Sequence, residues 1–283
     1  MKKAAKTIFI LSFLVPYLVS CASSMAMNEQ TPEAKKAAAE ALLLEQSVMA
    51  VNWMQRSGEY RALTYQAFNS ARAAFDNAKA SNGLKKAVVV DLDETMIDNS
   101  AEGAVRIFMH KEFDSELWTK WCEAEEAIAI PGAVDFANYV NSHGGKMFYV
   151  SNRKTGAEYE PTLKNLKALG FPGVDENTLL LKSDSSKKTA RFEQVEQQGY
   201  TIVLFVGDNL DDFGFTNETY HQLNEVRCSV VDKNKADFGV KYIMLPNPVY
   251  GGWEGGLAGD YYKTTPEGRV KIRHDNLRSW KIK

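Results

Sequence analysis

Ala87-Val88-Val89-Val90-Asp91-Leu92-Asp93-Glu94-Thr95 decides the architecture. Four apolar residues run without alternation into two carboxylates, and so short an unbroken run marks a strand buried on both faces. The same grammar recurs twice. Lys146-Met147-Phe148-Tyr149-Val150 passes into Ser151-Asn152-Arg153, and Thr201-Ile202-Val203-Leu204-Phe205-Val206 passes into Gly207-Asp208-Asn209-Leu210-Asp211-Asp212-Phe213. Helical patterns at 131–142, 158–169 and 186–198 separate the runs. Strands alternating with helices predict an α/β fold, a parallel β-sheet flanked by helices and joined by right-handed crossovers. Ligands of such sheets bind at the carboxyl ends of the strands, where all three polar clusters fall.

The flanks carry other signals. Lys2, Lys3 and Lys6 precede the apolar stretch 7–19, so 1–20 reads as a secretory signal, too short to favour a spanning helix. Its end, Leu18-Val19-Ser20-Cys21, resembles a bacterial lipobox, which makes Cys21 the lipidated residue; Ala22 after it resembles outer-membrane sorting. Residues 21–32 read as a lipidated tether. Over 33–82, Ala41, Leu44, Val48 and Val51, then Leu63, Ala67, Ala71, Ala74 and Ala78, keep helical spacing around a break at Ser57-Gly58. They predict two amphipathic helices packed on the main domain. The core domain is expected over 83–245, with an inserted rim segment at about 96–130. The N-terminal helices, as cap and support, and part of that segment are expected to form a small, mostly helical cap. The tail 246–283 carries Tyr250-Gly251-Gly252-Trp253-Glu254-Gly255-Gly256, which reads as a turn region rather than a regular element.

With 283 residues, 45% of them hydrophobic, the chain can bury an ordinary core. A net charge of -2 and the lack of any Lys/Arg cluster set aside a nucleic-acid polymer as partner. After Cys21 only Cys122 and Cys228 remain, compatible with one bridge or with two separate thiols. His110, His143, His221 and His274 form no paired pattern and read as structural.

The Asp91-x-Asp93 pair alone is weak, since Asp-x-Asp also serves glycosyltransferases and calcium loops. Asp208 and Asp212 converging on the same rim would make an oxygen-rich site suited to Mg²⁺. Lys187 and Lys188 stand at a helix start, where a cation and free N–H groups meet a phosphate. Asp211 reads as a solvated neighbour of Asp212.

The ordered set Asp91/Asp93/Thr95, Ser151, Lys188 and Asp208/Asp212 resembles the four motifs of haloacid dehalogenase-like phosphatases. The two acidic signatures look like those of bacterial class C acid phosphatases, and the lipobox and Gly/Trp-rich tail like their outer-membrane lipoprotein e subgroup. The resemblance implies a phosphomonoesterase acting outside the cytoplasm, at an acidic optimum, on 5′-nucleotides and aryl phosphates. It implies Asp91 as nucleophile, forming an aspartyl-phosphate, and Asp93 as general acid and base. Asp91 and Asp208 would bind Mg²⁺ by their carboxylates and Asp93 by its carbonyl, with Asp212 orienting that shell. Ser151 and Lys188, rather than Lys187, would hold phosphoryl oxygens. Trp118 and Tyr250 would sandwich a planar leaving group, with Phe113 and Trp253 at the same mouth. That family usually has a tyrosine where this chain has Glu102. Two other readings compete: a metal-dependent glycosyltransferase using Asp91 and Asp93, and a non-enzymatic surface lipoprotein binding through its tail. The membrane partner is expected through the N-terminal lipid anchor, and a homodimer stays open.

Overall fold

The computed structural model describes residues 31–81 and 83–281; the signal 1–20 and Cys21 lie outside the described residues. Three helices come first: α1 (Pro32–Glu45), α2 (Val48–Arg56) and α3 (Gly58–Asn77). Thr31 caps α1, its hydroxyl accepting from the Ala34 N–H at 3.2 Å, and Ser57 caps α3 by accepting from the Tyr60 N–H at 3.0 Å. The break at Ser57 is the expected one. A further break at Gln46-Ser47 turns the two predicted helices into three.

Five strands form one parallel sheet: β1 (Lys85–Val90), β4 (Gly145–Lys154), β5 (Leu179–Lys182), β6 (Tyr200–Gly207) and β7 (Tyr242–Met244), in the order β5-β4-β1-β6-β7. Between β1 and β4, a two-stranded antiparallel ribbon pairs β2 (Ile97–Asp98) with β3 (Ile128–Ala129). It brackets α4 (Ser100–Met109) and α5 (Ser115–Ala124), and α6 (Ala133–Ser142) leads into β4. Then follow α7 (Tyr159–Ala168), α8 (Thr189–Gln197), α9 (Thr216–Thr219), α10 (Asn224–Lys233), α11 (Gly252–Gly255) and α12 (Pro266–Asp275).

β1 is central, and its side chains divide by the two-residue period. Val88 and Val90 pack with Phe68 and Phe75 of α3, Phe136 and Val140 of α6 and Leu166 of α7. Ala87 and Val89 face the other layer, with Phe192 and Val195 of α8 and Val230 of α10. α3 therefore packs on the main domain, as its spacing predicted, and supports the sheet; Phe75 is 1% exposed, and truncating it to alanine would cost about 3–5 kcal/mol. Leu44, Val51 and Ile107 from α1, α2 and α4 form a separate cluster against Val249.

The tail is more regular than its glycines suggest, since it contains α11 and α12. Arg273 of α12 donates to the Leu43 carbonyl at 3.0 Å and to Gln46 Oε1 at 2.7 Å, which ties the tail to α1. Cys122 is buried and Cys228 exposed, both as free thiols, so they do not bridge.

Candidate active site

At the end of β1 the Asp91 N–H donates to the Val206 carbonyl of β6 at 2.9 Å, which keeps the loop in register with the sheet. The chain then turns tightly, Met96 and Ile97 donating to the Leu92 carbonyl at 2.8 and 2.9 Å. Within the turn Glu94 takes φ +59°, a left-handed conformation uncommon for a residue with a side chain. Its buried carboxylate is held by the Asn99 N–H at 2.8 Å and by the Tyr250 hydroxyl. At the end of β6 a side chain on Gly207 would place its Cβ 2.4 Å from that of Asp212, so only glycine lets the second acidic cluster fold back. Asp212 then closes on the backbone, accepting from the Asn209 N–H at 2.9 Å.

These two turns bring one carboxylate oxygen from each of Asp91, Asp208 and Asp212 to within 4.8 Å of one another. Lys188, at the N-cap of α8, is 2% exposed; its Nζ donates to Asp91 Oδ1 and lies 2.7 Å from Asp212 Oδ1. Lys187 is exposed, with its ammonium 5.4 Å from the Tyr220 ring, so Lys188 is the site lysine. Asp208 accepts from Thr95 Oγ1 at 3.1 Å and from Asn247 Nδ2 at 2.9 Å.

Asp93 has a different set of partners. Its Oδ1 accepts from Arg153 Nε and Asn99 Nδ2, each at 2.9 Å, and its Oδ2 from the Ser151 hydroxyl at 3.2 Å. Ser151 was expected to hold a phosphoryl oxygen, but it is fully buried with its hydroxyl spent on Asp93, and Arg191 donates to its carbonyl. Asp211 is not a solvated neighbour: Thr219 Oγ1 at 2.7 Å and Arg227 Nη1 at 3.2 Å fix it as a strut for the loop.

The electrostatics are those of crowded acids. Burial pushes Asp208 up to about 7, with Asp212 adding to the rise while Asn247, Lys188 and Thr95 oppose it. Burial also raises Asp91 against the pull of Lys188, and Asp212, Asp208 and Asp93 add to that rise. For Lys188, burial pulls downward but Asp212 and Asp91 outweigh it, so the ammonium stays charged. An all-oxygen donor set with surplus negative charge fits a hard divalent cation.

The cluster opens into a cavity of about 1120 Å³ whose lining includes Asp91, Asp93, Asp208 and Asp212 as well as Trp118, Phe113 and Tyr250. The Arg153 guanidinium carbon lies 5.4 Å from the Trp118 ring centre. Trp253 does not line this cavity; its indole N–H donates to the Tyr250 carbonyl at 3.1 Å and supports that residue. Glu94, Asn99, Arg191 and Asn247 were not legible in sequence. Asn99 is the hub among them, also accepting from Trp121 Nε1 at 2.8 Å and Arg153 Nη2 at 3.0 Å.

A doubly covered parallel sheet with its carboxylates on the first strand, its lysine on a later helix and a second acidic turn defines a haloacid dehalogenase-like hydrolase core. Residues 14–253 match the family described as HAD superfamily, subfamily IIIB (Acid phosphatase), and the chain belongs to that family. Its structure is similar to that of the class C acid phosphatase from Bacillus anthracis, with 39% identity, a TM-score of 0.78, and coverage of 84% of this chain and 99% of the other. A crystal structure of that phosphatase with tungstate bound matches at 38% identity and the same TM-score of 0.78. Among curated relatives, a stem 28 kDa glycoprotein and a stem 31 kDa glycoprotein of Glycine max are each 29% identical over 134 residues, 45% of this chain. The chain spans about half the length of these curated relatives, 52% and 46%.

Proposed function

We propose that the chain is a Mg²⁺-dependent acid phosphatase hydrolysing phosphate monoesters, with 5′-nucleotides and aryl phosphates as substrates. One observation carries this reading: Asp91 and Asp93 share one strand end, yet their carboxylates have separate partners. Lys188 occupies Oδ1 of Asp91, while Oδ2 makes no hydrogen bond among the described residues and is free to attack phosphorus. A new O–P bond forms there as the ester O–P bond breaks, leaving an aspartyl-phosphate. Because Oδ1 of Asp93 accepts from Arg153 and Asn99, the proton for the departing alkoxide rides on Oδ2. The same oxygen then takes a proton from the water that attacks the aspartyl-phosphate, releasing phosphate and restoring Asp91. Lys188 supplies fixed positive charge beside the reacting oxygens, and Ser151 holds the Asp93 carboxyl for transfer.

The carboxylates of Asp91 and Asp208 and the carbonyl of Asp93 would hold Mg²⁺, with Asp212 orienting them. When bound, Mg²⁺ neutralises phosphoryl charge and relieves repulsion from the carboxylates. Trp118 and Tyr250, on the wall of one cavity, would stack the leaving group. A glycosyltransferase would leave Lys188 and the Asp208 turn without a role.

We infer an exported, lipid-anchored protein of the bacterial outer membrane, with 1–20 removed and Cys21 acylated. The Lys-rich start, the short apolar stretch and the lipobox-like end support it. No helix among the described residues is long and apolar enough to cross a membrane.

Phosphate release from phenyl phosphate and adenosine 5′-monophosphate tests the reading. Activity should vanish in chelator and return with Mg²⁺; no release from either ester at saturating Mg²⁺ would overturn it.

A further inference from the structure

The chain leaves β7 as Leu245-Pro246-Asn247-Pro248-Val249-Tyr250. The Leu245 N–H donates to the Gly207 carbonyl at 2.9 Å, so this exit runs beside the end of β6 that carries Asp208. Pro246 and Pro248 have a fixed φ and no N–H to offer, and a residue ahead of proline is biased toward extended backbone. Asn247 is thus set between two stiff neighbours, and its side chain makes the local contacts.

The Asn247 amide is used at both ends. Oδ1 accepts from the Val249 N–H at 3.0 Å and from the Tyr250 N–H at 3.3 Å, a side-chain turn that seats Tyr250 on the cavity wall. Nδ2 donates to Asp208 Oδ2 at 2.9 Å, while Thr95 donates to Oδ1. An aspartate would build the same turn from its oxygen, but it has no donor left for a second carboxylate. Asparagine meets both demands. The path also continues beyond the rim: the Tyr250 hydroxyl donates to Glu94 Oε2, Glu94 Oε1 accepts from the Asn99 N–H at 2.8 Å, and Asn99 Nδ2 donates to Asp93 Oδ1 at 2.9 Å. Tyr250 therefore stands between the Asp208 carboxylate and the carboxyl that moves the proton.

We propose that Asn247 is a positioning residue that couples the cation site to the rim. Through Nδ2 it fixes the Asp208 carboxylate for a divalent cation, and through Oδ1 it holds Tyr250 for the leaving group. A planar amide cannot reorient at one end without moving the other. A cation that fixes Asp208 thereby firms Tyr250, and by reciprocity a leaving group held on Tyr250 tightens the cation by the same factor. This role rests on the cation site read above and adds to it a link with substrate choice.

Mg²⁺ alone is the probe, and no turnover is needed. Amide exchange followed by NMR in the wild-type protein should slow severalfold at Val249 and Tyr250 when Mg²⁺ is added. Asn247→Ala should remove that response and, in calorimetric titration, weaken Mg²⁺ by about tenfold to a hundredfold, the usual cost of losing a hydrogen-bond partner of a metal ligand. Asn247→Asp keeps an oxygen for the two N–H groups, so without Mg²⁺ their protection should stay near that of the wild type, whereas Asn247→Ala should lose it. An asparagine that only builds a turn leaves Mg²⁺ affinity untouched in Asn247→Ala, and that result overturns the proposal. Mg²⁺ binding that leaves exchange at Val249 and Tyr250 unaltered in the wild type also overturns it and spares the cation reading; no Mg²⁺ binding at all overturns both. The wild-type comparison decides even if neither variant folds.

Discussion

Arg153 donates from Nε to Asp93 Oδ1 at 2.9 Å, from a side chain 2% exposed, and the same guanidinium reaches Thr162 Oγ1 and Asn99 Oδ1 at 3.0 Å each. One planar group thus joins β4, α7 and the start of α4 around the carboxyl that moves the proton. A lysine cannot make three divergent bonds from one fork. Arg153→Lys should lower kcat by about tenfold or more, since misplacement of a proton donor forfeits general-acid catalysis worth ~10²–10⁴. Steady-state kinetics on phenyl phosphate checks this; an unchanged kcat would show that Asp93 positions itself.

Asp91→Asn should abolish turnover while leaving the fold intact, because an amide of nearly the same size cannot form the acyl-phosphate. Circular dichroism and single-turnover assays on protein free of host phosphatases measure both. Retention of more than a small share of kcat contradicts Asp91 as nucleophile.

The aromatic rim separates into two contributions. Trp118→Ala and Tyr250→Ala should each lower kcat/KM for adenosine 5′-monophosphate by about tenfold to a hundredfold, the worth of a stacked base, and spare glycerol phosphate. Tyr250→Phe keeps the ring but removes the hydroxyl that donates to Glu94, so it should keep the nucleotide preference. Equal losses for both esters in the alanine variants would make these rings packing residues only.

In chelator, stability should rise as pH falls from 7 to 5. Asp91, Glu94 and Asp208 have folded-state pKa values raised by burial, so over this window the folded chain binds more protons than the unfolded one. The sign follows: stability is lost as pH climbs, by up to about 1.4 kcal/mol per pH unit for each group. Excess Mg²⁺ should flatten the slope by favouring the ionised carboxylates. Melting temperatures across that range provide the measurement, and a steady fall from pH 7 to 5 in chelator would contradict it.

Cys21→Ala should block acylation and leave an unprocessed or soluble protein, since acyl chains rather than a spanning helix are inferred as the anchor. Palmitate labelling reads this directly. Equal label in the variant rules out Cys21.

β1, β4 and β6 were legible because strands covered on both faces are written as unbroken apolar runs. β5 and β7, of four and three residues at the sheet edges, leave too short a trace. The helical spacing of α3 shows that one face is buried, and that face does pack on the main domain, though spacing alone does not name Val88 and Val90 as its partners. Asp91, Asp93, Asp208 and Asp212 came from motif order. Glu94 and Asn247 could not, because their partners lie at a distance in sequence: Glu94 meets Tyr250 156 residues on, and Asn247 meets Asp208 39 residues back. The Gln46-Ser47 break carries neither glycine nor proline to announce it.

The strand that presents Asp91 is the middle of five, with two neighbours on each side. Its amide hydrogens can meet solvent only when both halves of the sheet part, so the reacting loop has no inexpensive route to local opening. Glu102, Trp118 and Tyr250 sit on α4, on α5 and in the tail, outside that sheet. Inheritance can therefore treat the two regions differently: the rim can be rewritten residue by residue to admit a new ester, while the strand beneath it tolerates almost no experiment.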